Sequence, residues 1–159
     1  MKKKIKSFQD IEKIVKRLKK AEKKIVFTNG CFDILHKGHI RLLKKAKSLG
    51  DVLIVGLNTD SSVRRLKGKK RPFLKEKDRA EILSSLEMVD YVVLFHQDTP
   101  YELIRIIKPD VLVKGGDYEK GRVVGRDIVE GYGGKVYIFP VIKGLSTTKI
   151  AEKIRKAGI

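Results

Sequence analysis

The sequence predicts an α/β domain in which a doubly wound parallel sheet is flanked by helices and preceded by one more helix. Short β-prone runs alternate with segments of helical period along most of the chain. The runs are apolar at consecutive positions, as strands buried on both faces require. The length, 159 residues, suits one domain with a substantial core and is short for two. Residues 1–23 read as the N-terminal helical part and residues 24–159 as the sheet-bearing core.

Each element has a local reason. "SFQDIEKIVKRLKKA" places Ile11, Ile14, Val15 and Leu18 on one helical face, with Ser7 and Asp10 resembling a capping pair. "KIVFTN" is a strand, followed by a helix through Ile40, Leu42, Leu43, Ala46 and Leu49 that Gly50 can end. "DVLIVGLN" is the next strand, "KEKDRAEILSSLEMV" a long helix, and "YVVLF" another strand. "TPYELIRIIKP" is a helix with Pro100 in its first turn. "DVLVKGG" and "KVYIFP" are two more strands, and "STTKIAEKIRKAG" closes the chain as a helix capped by Ser146.

Composition narrows the function classes. A formal charge of +18 and a pI near 10.0 point to phosphate-bearing partners or acidic surfaces, yet lysines mixed with glutamates also decorate ordinary solvated helices. No zinc finger, zipper heptad or RNA-recognition signature accompanies the charge, so no nucleic-acid partner is expected. The lone cysteine, Cys31, has no partner for a disulfide or a metal site, which fits a reducing cytoplasm. "MKKKIK" lacks the apolar core of a signal peptide, and no run approaches a membrane span, so no membrane association is expected.

The chemistry concentrates in "FTNGCFDILHKGHIRLL". In sheets of this kind ligands bind beyond the carboxyl ends of the strands. A helix starting near Leu35 or His36 would offer its unpaired amides and positive dipole end to an anion. His36 and His39 then lie one turn apart and face the same way. Gly38 between them removes a side chain where a ligand must come close. Two imidazoles beside a phosphate can donate to oxygens whose charge grows during phosphoryl or nucleotidyl transfer. A metal site lacks a third His, Cys or paired carboxylate nearby, and neither the dinucleotide nor the P-loop glycine fingerprint is present. From these residues alone, a phosphate or nucleotide site and a plain turn both stay open.

"NGCFDILHKGH" resembles the G-x-F-D-x-x-H-x-G-H signature of the cytidylyltransferase-like nucleotidyltransferases, with Gly30, Phe32, Asp33, His36, Gly38 and His39 in register. The likeness continues in order through "GLNTD", "RRLKGKKRP", "VKGGDY" and "GLSTTKI". It is strongest to the heptose-1-phosphate adenylyltransferase branch, which also occurs as half of a bifunctional kinase/adenylyltransferase; these 159 residues resemble the adenylyltransferase half. The resemblance implies a Rossmann-like nucleotidyltransferase fold. The implied reaction joins ATP, with Mg²⁺, to D-glycero-D-manno-heptose 1-phosphate to give ADP-heptose and pyrophosphate. It also implies a homodimer or higher homo-oligomer.

Roles carried over by this resemblance are as follows. Thr28, Asn29, Gly30, Cys31 and Phe32, with Gly38, border the triphosphate. His36 and His39 stabilise the α-phosphate, assisted by Lys67. Lys114, Gly115, Gly116 and Asp117 approach the base or ribose; Ser146, Thr147 and Thr148 face the outer phosphates. Asp33 shapes its loop and, with Asp60, Lys67, Arg71 and Arg79, forms the acceptor side. Lys67 and Arg71 are expected on a loop that Gly68 lets move, whereas Lys2 to Lys4 are expected only to face solvent. Cys31 reads as a small loop residue rather than a nucleophile, because no base accompanies it. No resident metal site is expected. Glu87 agrees with the heptose branch; Lys143 stands where related cytidylyltransferases tend to carry arginine. A CTP-dependent transferase acting on glycerol 3-phosphate or a similar small alcohol phosphate is the alternative, and a non-catalytic nucleotide- or nucleic-acid-binding module a third reading.

Overall fold

The computed structural model describes residues 2–116, 122–140 and 142–158. Six strands form one all-parallel sheet in the order β1-β4-β3-β2-β5-β6: β1 (Ile5–Lys6), β2 (Ile25–Gly30), β3 (Val52–Asn58), β4 (Tyr91–Phe95), β5 (Val111–Gly115) and β6 (Lys135–Phe139). The helices are α1 (Phe8–Lys20), α2 (Lys37–Ser48), α3 (Asp60–Lys67), α4 (Glu76–Ser84), α5 (Tyr101–Ile107), α6 (Arg126–Gly131) and α7 (Thr147–Lys156).

Alternation along each strand builds two cores. Ile25, Phe27, Ile54, Val93 and Leu112 point to one face, against Ile11, Ile14 and Val15 of α1 and Leu103, Ile104 and Ile107 of α5. Val26, Leu53, Val55, Val92 and Val113 point to the other, against Leu43 and Ala46 of α2 and Ala80 and Leu83 of α4. Burial on both faces explains why the strands read as unbroken apolar runs. The chain runs outward from β2 through β3 to β4, then crosses back to β5 and β6. The carboxyl ends of β2 and β5 therefore flank the point where strand order reverses, which is where such sheets bind ligands.

Several expectations need correction. The long helix stops at Ser84, where the Ser84 and Ser85 hydroxyls donate to the Glu81 carbonyl at 2.9 and 2.7 Å and draw the chain out of helical pairing. Pro100 caps α5 from just outside it. The N-terminal lysines do not simply face solvent. Lys4 Nζ donates to the Leu86 carbonyl at 3.2 Å, and Ile5–Lys6 extends the sheet beside β4. Helices α3 and α6, absent from the sequence reading, are short, and Lys67 is the last residue of α3 rather than a loop residue.

Candidate active site

The switch point opens into a cleft of about 650 Å³. Its floor is the loop from β2 to α2. Phe32 takes a left-handed backbone conformation (φ 44°), is nearly buried, and tilts against His39 with ring centroids 5.4 Å apart. A Cβ on Gly30 would sit 3.1 Å from the Phe32 ring. Gly38 serves the protein itself: a Cβ there would lie 2.9 Å from the His36 imidazole. The missing side chain thus seats that ring, and Gly38 also borders the cleft.

The histidines form a capping box. His36 is the N-cap of α2, and its Nδ1 accepts from the Gly38 amide at 3.2 Å, while His39 Nδ1 accepts from the His36 amide at 3.2 Å. The two rings are 3.9 Å apart, centroid to centroid. A neutral imidazole that accepts at Nδ1 carries its proton on Nε2. Both rings border the cleft, so the backbone fixes the tautomer that leaves each Nε2–H as a donor. Burial lowers the pKa of His36. Burial, then the neighbouring His36 and Lys67, holds His39 down to about 4. The pair is neutral near pH 7.

Around this floor the sequence-selected residues divide. Lys67 reaches the cleft from the end of α3. Arg71 also lines it, but its Nε bonds Asp33 Oδ2 at 3.3 Å, its Nη1 lies 3.5 Å from Thr148 Oγ1, and its guanidinium stands over Phe73. Asp33 is 2 % exposed and accepts from the amides of Phe73 and Leu74 at 2.7 and 3.0 Å. It pins the segment after α3 to the β2–α2 loop, the loop-shaping part expected of it, while bordering the cleft.

Arg79 is likewise internal. At 1 % exposure it donates to the carbonyls of Cys31 (2.7 Å), Asn58 (2.8 Å) and Leu74 (3.0 Å), and to Asp60 Oδ1 at 2.8 Å. Neither Arg79 nor Asp60 is among the residues lining the cleft; both brace the loop ends beneath it through these bonds. Thr28 is also outside it, 1 % exposed, with its Oγ1 lacking a partner among the described residues.

On the β5 side, both glycines of "VKGG" have internal causes. A Cβ on Gly115 would meet Leu42 at 2.5 Å, and Gly116 has φ 120° with its amide bonded to Phe139. Both still border the cleft with Lys114, whose pKa burial lowers. Asp117 lies outside the described residues. Ser146 caps α7 by accepting from the Lys149 amide at 3.0 Å, Thr147 Oγ1 donates to the Ile34 carbonyl at 3.3 Å, and both reach the cleft with Thr148. Burial pushes the Cys31 thiol up against the pull of Lys67, Arg79, Lys114 and Arg71, as befits a loop residue rather than a thiolate nucleophile.

Four polar lining residues escaped the sequence reading: Asn58, Asp98, Thr99 and Arg122. Asn58, Asp98 and Thr99 follow the carboxyl ends of β3 and β4, a position that could have singled them out. Arg122 carries no such signal.

A parallel switch-point cleft with two tautomer-fixed imidazoles and cations around it defines a nucleotide-handling transferase. The chain belongs to the cytidylyltransferase-like family, whose model matches residues 27–154, and it is a nucleotidyltransferase. It is 60% identical over 151 residues to the bifunctional protein HldE of Nitratiruptor sp. and 56% identical over 154 residues to that of Geobacter metallireducens, which covers 95% and 97% of this chain. The match spans 32% and 31% of those proteins, so the chain corresponds to about a third of their length. Among solved structures it resembles a lipopolysaccharide core biosynthesis protein from Thermoplasma volcanium (TM-score 0.62, 32% identity, 76% of this chain and 98% of that one). It also resembles a pantoate-beta-alanine ligase from Francisella tularensis in fold (TM-score 0.65, 20% identity, 98% of this chain and 78% of that one). Among the described residues no helix is long and apolar enough to cross a membrane.

Proposed function

We propose that the protein is an adenylyltransferase that joins MgATP and D-glycero-D-manno-heptose 1-phosphate to give ADP-heptose and pyrophosphate. A phosphate oxygen of the sugar phosphate attacks the α-phosphorus in line, the bond from Pα to the bridging oxygen breaks, and pyrophosphate leaves with that oxygen. No covalent enzyme intermediate is needed, so positioning and charge stabilisation carry the catalysis. The observation that carries this reading is the histidine pair, whose Nδ1 atoms are occupied by backbone amides. Two Nε2–H donors then meet the charge that accumulates on the α-phosphate.

Lys67 adds a cation on the same cleft, and the hydroxyls of Ser146 and Thr148, which accept from the protein and keep their protons to donate, suit the outer phosphates near the start of α7. Mg²⁺ enters with ATP as part of the substrate. Among the described residues no group of three or more His, Cys, Asp or Glu could hold a metal ion, and no step is assigned to a resident metal. The sugar phosphate is supported by the likeness to the HldE proteins and to the lipopolysaccharide core biosynthesis protein.

Pyrophosphate release with each NTP against a panel of sugar and alditol phosphates tests the reading. Turnover should be fastest with ATP and heptose 1-phosphate. Faster turnover with CTP and glycerol 3-phosphate would replace it.

A further inference from the structure

Most charged residues lining the cleft are cations, Lys67, Arg71, Lys114 and Arg122, yet one wall differs. Among the described lining residues two are acidic, Asp33 and Asp98. Asp33 is buried and fully engaged. Asp98 is different: its side chain is 67% exposed, one oxygen accepts from Arg65 Nε at 2.7 Å, and the other has no partner among the described residues. Arg65 also donates to the His96 carbonyl, which ties this loop to α3.

Two neighbours share the wall. Asn58, at the end of β3, donates its amide nitrogen to Ser62 Oγ at 3.0 Å, and its amide oxygen has no partner among the described residues. Thr99 Oγ1 accepts from the Tyr101 amide at 3.4 Å, which leaves its hydroxyl proton to donate. The wall beyond β3 and β4 thus offers two acceptors and one donor. The opposite wall offers Lys114 and the hydroxyls of Ser146, Thr147 and Thr148. A carboxylate repels phosphate and accepts from hydroxyl groups, and such a charged hydrogen bond is stronger than a neutral one.

We propose that Asp98, with Asn58 and Thr99, is the specificity wall that reads the hydroxyl groups of a polyol phosphate acceptor, while the phosphates lie towards Lys67 and α7. The inference rests on the proposed nucleotidyl transfer to a sugar phosphate and names the residues that select the acceptor. The two sides sort the substrates by hydrogen bonding: the cations Lys67 and Lys114 suit phosphate, and the free oxygens of Asp98 and Asn58 accept from the hydroxyl-bearing body of the acceptor. Acceptors that lack those hydroxyls leave the buried Asn58 amide oxygen unpaired and forgo the charged bond to Asp98, and a site built to bond hydroxyls disfavours such analogues.

The test compares Asp98→Asn and Thr99→Val with Arg65→Met, which breaks the same ion pair but keeps the carboxylate. Turnover is measured with the polyol phosphate the wild type uses best and with a simple alkyl phosphate. Binding of that polyol phosphate, and of a non-hydrolysable ATP analogue, is measured by calorimetry. Asp98→Asn should lower kcat/KM for the polyol phosphate about 10- to 100-fold, narrow the preference over the alkyl phosphate, and leave the ATP-analogue Kd within about twofold; Thr99→Val should act in the same direction more weakly. Arg65→Met should keep the preference. An unchanged preference in Asp98→Asn, or an equal change in Arg65→Met, overturns the wall while leaving the transferase reading intact. Failure of every polyol phosphate to bind or turn over with the wild type overturns both.

Discussion

Two stretches that meet at the cleft floor are held in opposite ways. The turn from His36 to His39 closes on itself: two imidazole nitrogens and two amides within four residues form the capping box. Residues 68–75 have little of their own to hold them and depend on distant partners. Asp33 takes the amides of Phe73 and Leu74, and Arg79 takes the Leu74 carbonyl together with those of Cys31 and Asn58. The first arrangement positions the chemistry, and the second holds the surrounding walls in register. Rigidity where the charge develops is local; the shape of the pocket is a long-range property.

The largest effect should come from breaking the long-range arrangement. Arg79→Met removes the donor from three carbonyls and leaves Asp60 unpaired, which should cost about 3 to 5 kcal/mol in urea denaturation. Arg79→Lys should recover part of it. A loss below about 1 kcal/mol would mean these contacts are replaceable by water. Next is Lys67, whose side chain makes no hydrogen bond or ion pair among the described residues although it borders the cleft. Lys67→Ala should lower kcat about 10- to 100-fold while shifting stability by no more than about 0.5 kcal/mol. An equal activity loss when Lys2, Lys3 and Lys4 are all replaced by Ala would show that overall positive potential, rather than a placed cation, is at work.

The histidine turn can be probed by pH. His39 is depressed from 6.5 to about 4 in the folded protein, so between those values the unfolded chain binds the proton and the folded chain does not. Its contribution to stability is therefore present above pH 6.5 and declines as pH falls towards 4. Following the imidazole carbon-bound protons by NMR should show His39 titrating near 4; a midpoint near 6.5 would refute the half-buried, tautomer-fixed ring. The smallest effect belongs to the N-terminus. Lys4→Met loses the bond to the Leu86 carbonyl and should cost about 0.5 to 1 kcal/mol by thermal denaturation; no change would return Lys4 to solvent.

The same contrast explains what the sequence made legible. The five core strands β2 to β6 announce themselves because consecutive apolar residues serve two cores at once, and His36, Gly38 and His39 stand at spacings that a helix start makes meaningful. What escaped was either short or distributed. Strand β1 has two residues, and α3 buries only Ser62 and Val63, so neither leaves a readable period. The burial of Arg79 and Asp33 was hidden because each is satisfied by carbonyls or amides far along the chain. No local pattern encodes such partners. Asp98 was passed over because "QDTP" reads equally well as the approach to a helix.

The central claim is that the backbone fixes the tautomer of two imidazoles so that their Nε2–H groups stabilise the α-phosphate in the transition state. His36→Asn tests it most directly, since an asparagine oxygen can accept from the Gly38 amide as an N-cap while the Nε2 donor is lost. Single-turnover pyrophosphate release should slow about 10²- to 10³-fold, with the Kd of a non-hydrolysable ATP analogue changed by less than about threefold. A variant that keeps near wild-type turnover, or that loses nucleotide affinity in proportion to rate, would contradict the account.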